Sequence, residues 1–119
     1  MMKKILVIDD DDFVLDYVEG ILEDYYTVIK TKDPRVGLQK YKEVCPDLII
    51  LDLVMPVMDG YEVIKEIQTD VNNPPIIVLT GAPDELKEKL TYFNIKALVT
   101  KPFKNNEFLK KVRSALGDM

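Results

Sequence analysis

Acidic residues follow two strongly apolar stretches of the chain, at the point where each stretch ends. Asp9 and Asp10 come directly after residues 5–8, and Asp52 comes directly after residues 48–51. Each stretch is too short for a helix and too apolar for a strand with one wet face, so both are predicted to be buried strands. A carboxylate at the end of a buried strand is costly unless a counter-charge compensates it. These three acids are therefore the first candidates for chemistry.

Two further side chains complete the chemistry that these acids could perform. Thr80 and Lys101 also follow apolar stretches and would add a hydroxyl group and a positive charge. Three carboxylates held together repel one another unless a cation is present, and oxygen ligands of this kind suit Mg²⁺. Such a site binds a phosphoryl group. An oxygen of Asp52 could then attack phosphorus and form an aspartyl phosphate.

Composition limits the classes of protein to consider. The chain has 119 residues, of which 47% are hydrophobic, and this predicts a single domain over residues 1–119. Its net charge of -5 argues against direct nucleic-acid binding. The single cysteine, Cys45, cannot pair within the chain, and the apolar stretch near the start is too short for a signal peptide or a membrane span. We expect a cytoplasmic protein.

Strand and helix patterns alternate along the whole chain. Strands are predicted at residues 5–8, 27–29, 48–51, 76–79 and 97–99. The first helix is predicted to be capped by Asp11 or Asp12, and Asp33-Pro34 and Asp59-Gly60 are predicted to open the second and third. The apolar faces of the five helices are predicted to comprise Val14, Val18, Ile21, Leu22 and Tyr25; Leu38, Tyr41 and Cys45; Val63, Ile64, Ile67 and Val71; Leu86, Leu90 and Phe93; and Phe108, Leu109, Val112, Ala115 and Leu116.

This alternation indicates an α/β protein with a doubly wound, five-stranded parallel sheet covered by helices on both faces. Right-handed crossovers favour the strand order 2-1-3-4-5. In that order the first and third strands are neighbours, so Asp9 and Asp10 would face Asp52 across one cleft. Thr80 and Lys101 would lie on the same rim.

These residues together resemble a known family, the receiver domain of two-component response regulators, over essentially the whole chain. The resemblance rests on the residues already described and on three short motifs at their expected places. These motifs are Met55-Pro56, Asp59-Gly60 and Lys101-Pro102-Phe103. The resemblance implies the flavodoxin-like receiver fold and a role as a phosphoacceptor rather than an enzyme.

The resemblance also implies a role for each acid. Asp52 would be the phosphoacceptor, and Asp10 and Asp52 would bind Mg²⁺ (or Mn²⁺) together with the carbonyl of Val54. Asp9 would act on the metal mostly through water. Thr80 and Lys101 would hold the phosphoryl oxygens.

The resemblance further implies partners and one backbone feature. The chain contains no histidine, so the phosphoryl group would come from a sensor histidine kinase, a histidine phosphotransfer protein or a small donor. Output would pass to a downstream effector protein by contact, with no membrane or nucleic acid involved. A monomer or a weak phosphorylation-dependent dimer is expected. The peptide bond between Lys101 and Pro102 is expected to be cis.

Three positions depart from the family pattern. Leu98 stands where the family usually carries an aromatic side chain that turns inward on activation. We therefore expect a conformational response that is smaller or differently routed. Val54 and Ala82, which flank the attack path, cannot orient a water molecule, so slow loss of the phosphoryl group is expected.

Two other functions remain open at this point. Phosphatases of the haloacid dehalogenase type also form an aspartyl phosphate, but they carry a second aspartate two residues later, where this chain has Val54. A receiver-like protein-interaction module that is never phosphorylated is the other alternative. Leu98 favours that alternative, and the complete set of pocket residues argues against it.

Overall fold

A computed structural model of the chain describes residues 2–53, 60–81 and 93–118. These residues form nine elements, numbered here in chain order. They are β1 (Lys4–Ile8), α1 (Asp12–Leu22), β2 (Thr27–Thr31), α2 (Pro34–Val44), β3 (Leu48–Leu51), α3 (Gly60–Gln68), β4 (Ile76–Thr80), β5 (Ala97–Thr100) and α4 (Asn105–Leu116). The further helix predicted around Leu86 and Leu90 lies outside the described residues.

The five strands form one parallel sheet in the order β2-β1-β3-β4-β5, which confirms the predicted doubly wound topology. β1 and β3 are in register, with Ile8 opposite Leu51. Thr80 at the end of β4 lies opposite Thr100 at the end of β5. The residues that follow these strands therefore emerge at one edge of the sheet.

Helices cover both faces of the sheet, and alternate residues of each strand belong to two separate cores. Ile5 and Val7 of β1 pack with apolar residues of α1 and α4, whereas Leu6 and Ile8 pack with residues of α2 and α3. All four residues are at most 1% exposed. Burial on both faces explains why the strands are continuous apolar runs rather than alternating patterns.

Two helix starts follow the predicted capping chemistry. Asp11 caps α1 by accepting a hydrogen bond of 2.9 Å from the amide of Phe13. Asp33 caps α2 by accepting one of 2.8 Å from the amide of Arg35, with Pro34 in the first turn. Each cap satisfies an amide that the first helical turn would otherwise leave unpaired.

Three residues predicted to lie on apolar helix faces are instead exposed, because each lies beyond the end of its helix. Tyr25 is 49% exposed and Tyr26 is buried in its place. Cys45 is the C-cap of α2, with φ of 52° in the left-handed region, and it faces solvent. Val71 is 97% exposed, since α3 ends at Gln68. Once a helix has ended, helical periodicity no longer predicts whether a side chain faces the core or the solvent.

Within the described ranges, no helix has the length and apolar character needed to cross a bilayer.

Candidate functional site

The residues that follow β1, β3 and β5 are each fixed by one further backbone hydrogen bond to a neighbouring strand. The amide of Asp9 donates to the carbonyl of Thr31 (3.2 Å), and that of Asp52 donates to the carbonyl of Ile8 (3.0 Å). The amide of Lys101 donates to the carbonyl of Thr80 (2.7 Å). The sheet pairing thus continues into the site, and the positions of these side chains follow from the strand register.

Three of the predicted acids form one cluster. Asp9, Asp10 and Asp52 each offer a carboxylate oxygen, and these oxygens lie within 4.8 Å of one another. Asp9 is 1% exposed and Asp52 is 7% exposed, while Asp10 is open to solvent. A set of hard oxygen ligands with one side open to water fits a small divalent cation such as Mg²⁺, which retains several water ligands.

Lys101 supplies the positive charge inside this cluster. Its Nζ atom lies 2.8 Å from Oδ2 of Asp9 and 3.3 Å from Oδ2 of Asp52. The other oxygen of Asp9 accepts a hydrogen bond of 2.9 Å from the amide of Asp11. Both oxygens of Asp9 therefore accept hydrogen bonds, and an ammonium group bridges the two buried acids of the cluster.

The pKa of Lys101 reflects two opposing effects. Burial lowers the pKa, but the hydrogen bond to Asp9 and the charges of Asp52 and Asp9 outweigh burial, so the pKa lies above its usual value of 10.5. Ion pairing thus keeps the ammonium group charged despite its partial burial.

This raised pKa predicts a loss of stability at alkaline pH. A group whose pKa is higher in the folded state stabilises the fold fully below its unfolded pKa, and this contribution disappears as pH rises through the folded pKa. We expect the difference in unfolding free energy between the wild type and Lys101→Met to be constant from neutral pH to about pH 10.5 and to shrink above it.

Denaturant titrations in chelator-treated buffer would measure that difference. Tyr41 also has a raised pKa, of about 12, because of burial and its hydrogen bond to Asp70. Its contribution is common to both proteins and cancels in the difference. A difference that grows with pH would contradict the prediction.

The remaining predicted residues are placed as follows. Thr80, the last residue of β4, is 1% exposed at the same edge as the acids. The peptide bond between Lys101 and Pro102 is cis, as the resemblance implies. Val54, whose carbonyl is a predicted metal ligand, lies outside the described residues, and so do Ala82 and the motif residues Met55, Pro56 and Asp59.

Comparison with known proteins agrees with this geometry. Residues 5–113 match the family described as the response regulator receiver domain, which is most of the 119-residue chain. The chain belongs to this family.

Relatives of this receiver domain include both short and long proteins. It is 37% identical over 119 residues to the alkaline phosphatase synthesis transcriptional regulatory protein PhoP of Bacillus subtilis, covering 98% of this chain and 49% of PhoP. It is 30% identical over 118 residues to the chemotaxis protein CheY of Halobacterium salinarum, covering 98% of each. The chain thus spans about half the length of PhoP but nearly all of that CheY.

Solved structures show the same fold. The chemotaxis protein CheY4 of Vibrio cholerae superposes with a TM-score of 0.87 at 31% sequence identity. The match covers 98% of this chain and 100% of that one.

Gly60 of the receiver domain is a positioning residue, a role that the Asp59-Gly60 motif alone does not predict. A Cβ atom added at Gly60 would lie 2.5 Å from Cα of Leu53 and 3.0 Å from the carbonyl oxygen of Asp52. The Gly60 amide also donates to the carbonyl of Leu53 (3.2 Å). These contacts are with backbone, which cannot move aside as a flexible side chain would. The absence of a side chain at Gly60 therefore allows its backbone to lie this close to the backbone of Asp52 and Leu53.

Gly60→Ala is expected to lower the unfolding free energy by about 2–3 kcal/mol, because the new methyl group displaces backbone next to the acid cluster. Gly20→Ala is the matched control: a Cβ atom there meets nothing within 4 Å. At this exposed position in α1, alanine should raise stability by about 0.5–1 kcal/mol. Urea unfolding of both variants measures the effects. Equal stability of Gly60→Ala and the wild type would refute the proposed close contact.

A group of aromatic residues beside the site did not emerge from the sequence analysis. Phe13 and Tyr17 of α1 stack with ring centroids 6.2 Å apart, and Tyr17 meets Phe103 edge to face at 5.8 Å. Phe103 packs in turn on the buried Phe108. Phe13 and Tyr17 are four residues apart, which places them on one helix face outside the buried stripe of α1. This spacing of four residues is the feature of the sequence that could have predicted the contact between the two rings.

Proposed function

We propose that this chain is the phosphoacceptor module of a two-component phosphorelay. Asp52 takes a phosphoryl group from a sensor histidine kinase or a histidine phosphotransfer protein. The modified protein then alters its contact with a downstream effector protein. The single observation that carries this proposal is the position of Lys101 Nζ, which bridges Asp9 and Asp52 at one edge of the sheet.

The acid cluster is suited to hold Mg²⁺ or Mn²⁺, with Asp10 and Asp52 as direct ligands. Asp9 already accepts two hydrogen bonds and suits contact through water. When bound, the cation neutralises the phosphoryl oxygens and so lowers the charge repulsion that an anionic donor meets. The carbonyl of Val54 would be a further ligand.

The protein's own residues would perform the transfer in a simple sequence. Asp52 presents a carboxylate oxygen that forms a bond to phosphorus while the bond from phosphorus to the donor breaks. Lys101, held within 3.3 Å of Asp52, shifts its ammonium group from the carboxylates to a phosphoryl oxygen. The hydroxyl of Thr80 donates to another phosphoryl oxygen. Both donors lie at the acceptor before transfer, so they can stabilise the transferring group there.

Signalling would follow from the rearrangement of Lys101 and Thr80. Leu98, in place of an aromatic residue, is half-buried against the core between the sheet and α2 and α3. A leucine side chain has no polar group to expose or bury, so it offers little free-energy difference between two positions. The conformational response is expected to be smaller along β5 and α4 than at the pocket. Amide chemical shifts with and without a phosphoryl mimic would measure this.

Intact mass after incubation with acetyl phosphate tests the proposal. With Mg²⁺ the protein should gain the mass of one phosphoryl group, and with excess chelator it should gain none. No mass gain in either condition would instead support an interaction module that works without phosphorylation. Continuous release of phosphate from a generic phosphate ester would support a phosphatase, which the proposal excludes.

A further inference from the structure

The loop between β5 and α4 begins at Lys101 and is tied to α1 through Tyr17. The hydroxyl of Tyr17 donates a hydrogen bond to Oδ1 of Asn105, the first residue of α4. The ring of Tyr17 also meets the ring of Phe103 edge to face, with the centroids 5.8 Å apart. Tyr17 and Asn105 are 88 residues apart in the chain. One side chain of α1 therefore contacts both this loop and the helix that follows it.

The start of α4 lacks the kind of cap that begins α1. Lys104 occupies the N-cap position, but its side chain makes no capping hydrogen bond, whereas Asp11 caps α1 with its carboxylate. Phe103 packs on the buried ring of Phe108, with the centroids 4.7 Å apart. Contacts between rings and the hydroxyl of Tyr17 thus hold this loop in the place of a capping side chain.

The same helix also holds the partner of Lys101. The amide of Asp11, the cap of α1, donates to Oδ1 of Asp9 at 2.9 Å. Nζ of Lys101 lies 2.8 Å from the other oxygen of Asp9. Both members of this ion pair are thus connected to α1, Asp9 through the cap and Lys101 through the loop that Tyr17 contacts. Because a lysine has a flexible four-carbon stem, connections of this kind restrict where its ammonium group can lie.

We infer that Tyr17 is a positioning residue for Lys101. It holds the loop after β5 so that the ammonium group bridges Asp9 and Asp52 before a phosphoryl donor arrives. The benefit to phosphoryl transfer rests on the proposed function, whereas the effect on the ion pair does not. Without the hydroxyl of Tyr17, the amide of Lys101 still pairs with the carbonyl of Thr80 (2.7 Å), but the loop beyond it is held less firmly. Ion pairs and hydrogen bonds weaken when their distances become less defined.

A double-mutant cycle on stability separates positioning from simple packing. Tyr17→Phe removes the hydroxyl and keeps the ring. Its loss of unfolding free energy is measured by urea unfolding in chelator-treated buffer, once in the wild type and once in Lys101→Met. The loss in Lys101→Met should be no more than about half of the loss in the wild type, because no ammonium group remains to be positioned. Asn105→Ala removes the acceptor and should show the same dependence.

Two results of this cycle would overturn the inference. One is the absence of any loss for Tyr17→Phe in the wild type. The other is a loss in Lys101→Met greater than about half of the wild-type loss, since the hydroxyl would then stabilise the protein independently of the ammonium group. Tyr17→Phe should fold, because it keeps a ring that is 42% exposed in the wild type.

Tyr26→Phe is the matched control. The hydroxyl of Tyr26 also donates to a side chain far away in the chain, Oδ2 of Asp118 at 3.1 Å. Tyr26 directly precedes β2, however, so it lies at the opposite end of the strands from the acid cluster. Its loss should be the same in the wild type and in Lys101→Met. Unequal losses would attribute the coupling to a general effect of Lys101→Met and would also overturn the inference.

The rate of phosphorylation by acetyl phosphate provides a second measurement. With saturating Mg²⁺, Tyr17→Phe should lower the rate of mass gain about threefold, which corresponds to about 0.7 kcal/mol in the barrier. The reason is that Lys101 would be less often in place to meet a phosphoryl oxygen. Tyr26→Phe should keep the wild-type rate.

The two measurements distinguish this inference from the proposed function. An unchanged rate in Tyr17→Phe, beside a wild type that gains the phosphoryl group, would overturn the inference while the proposed function stood. A wild type that gains no mass would overturn the proposed function, and the stability cycle would then decide by itself whether Tyr17 positions Lys101.

Discussion

Asp52→Asn is expected to abolish the mass gain with acetyl phosphate and Mg²⁺. An amide nitrogen and a neutral carbonyl oxygen replace the carboxylate, so the side chain loses its nucleophilic charge and the proposed Mg²⁺ site loses one of its three ligands. The phosphorylated fraction should fall to the background seen with chelator. The fold should persist, because removing one of three clustered carboxylates reduces charge repulsion at the edge of the sheet.

The matched control for this change is Asp12→Asn. Asp12 is also an acid close to the site in sequence, but it is exposed in the first turn of α1 and pairs with Lys32 at 3.0 Å. The Asp12→Asn variant should show the same mass gain as the wild type. If Asp52→Asn still gained a phosphoryl group, peptide mapping would locate the modified residue, and any acceptor other than Asp52 would end the proposed mechanism.

Lys101→Met is expected to destabilise the metal-free protein by about 3 kcal/mol, because it leaves two buried carboxylates without their counter-charge. Asp9 and Asp52 have side chains that are only 1% and 9% exposed in these ion pairs. Mg²⁺ should restore part of the loss, since a bound cation replaces the missing charge, and it should stabilise the variant more than the wild type. Urea unfolding with chelator and with Mg²⁺ measures both effects.

Lys30→Met is the matched control for Lys101→Met. It shows how much stability is lost when any lysine that pairs with two acids is removed. Lys30 also bridges two acids, Asp16 at 2.7 Å and Glu19 at 2.9 Å, but these pairs lie at the surface. Water screens surface pairs, so Lys30→Met should lower the unfolding free energy much less than Lys101→Met does. Mg²⁺ should not change the effect of Lys30→Met. Equal destabilisation of the two variants would show that the burial of Asp9 and Asp52 does not govern the energetics of the site.

Sequence reasoning predicted the fold because its signals are local. Continuous apolar runs of four residues, capping acids such as Asp11 and Asp33, and regular alternation each specify one element. The handedness of parallel crossovers then leaves few sheets, so the order β2-β1-β3-β4-β5 could be stated in advance. The errors lay at helix ends, at Tyr25, Cys45 and Val71, where periodicity continues in the sequence after the backbone has turned away.

The position of the candidate residues at one edge of the sheet could also be predicted from the sequence. Acids, a hydroxyl and an amine that follow buried strands must emerge at the carboxyl edge of a parallel sheet, whatever the helices do. The chemistry of the side chains, and not their place in the sheet, is the basis on which we propose their roles as phosphoacceptor, metal ligands and phosphoryl contacts.

The sequence by itself determined which side chains meet at this edge, because strand order and the residue after each strand are properties of the chain pattern. Only the tertiary structure decided how they interact: that Lys101 bridges Asp9 and Asp52, and that Gly60 lies against the backbone of Leu53. It alone revealed that the rings of Phe13, Tyr17 and Phe103 pack together beside them. Such contacts join residues far apart in the chain, and their distances depend on rotamers and packing that no local pattern encodes.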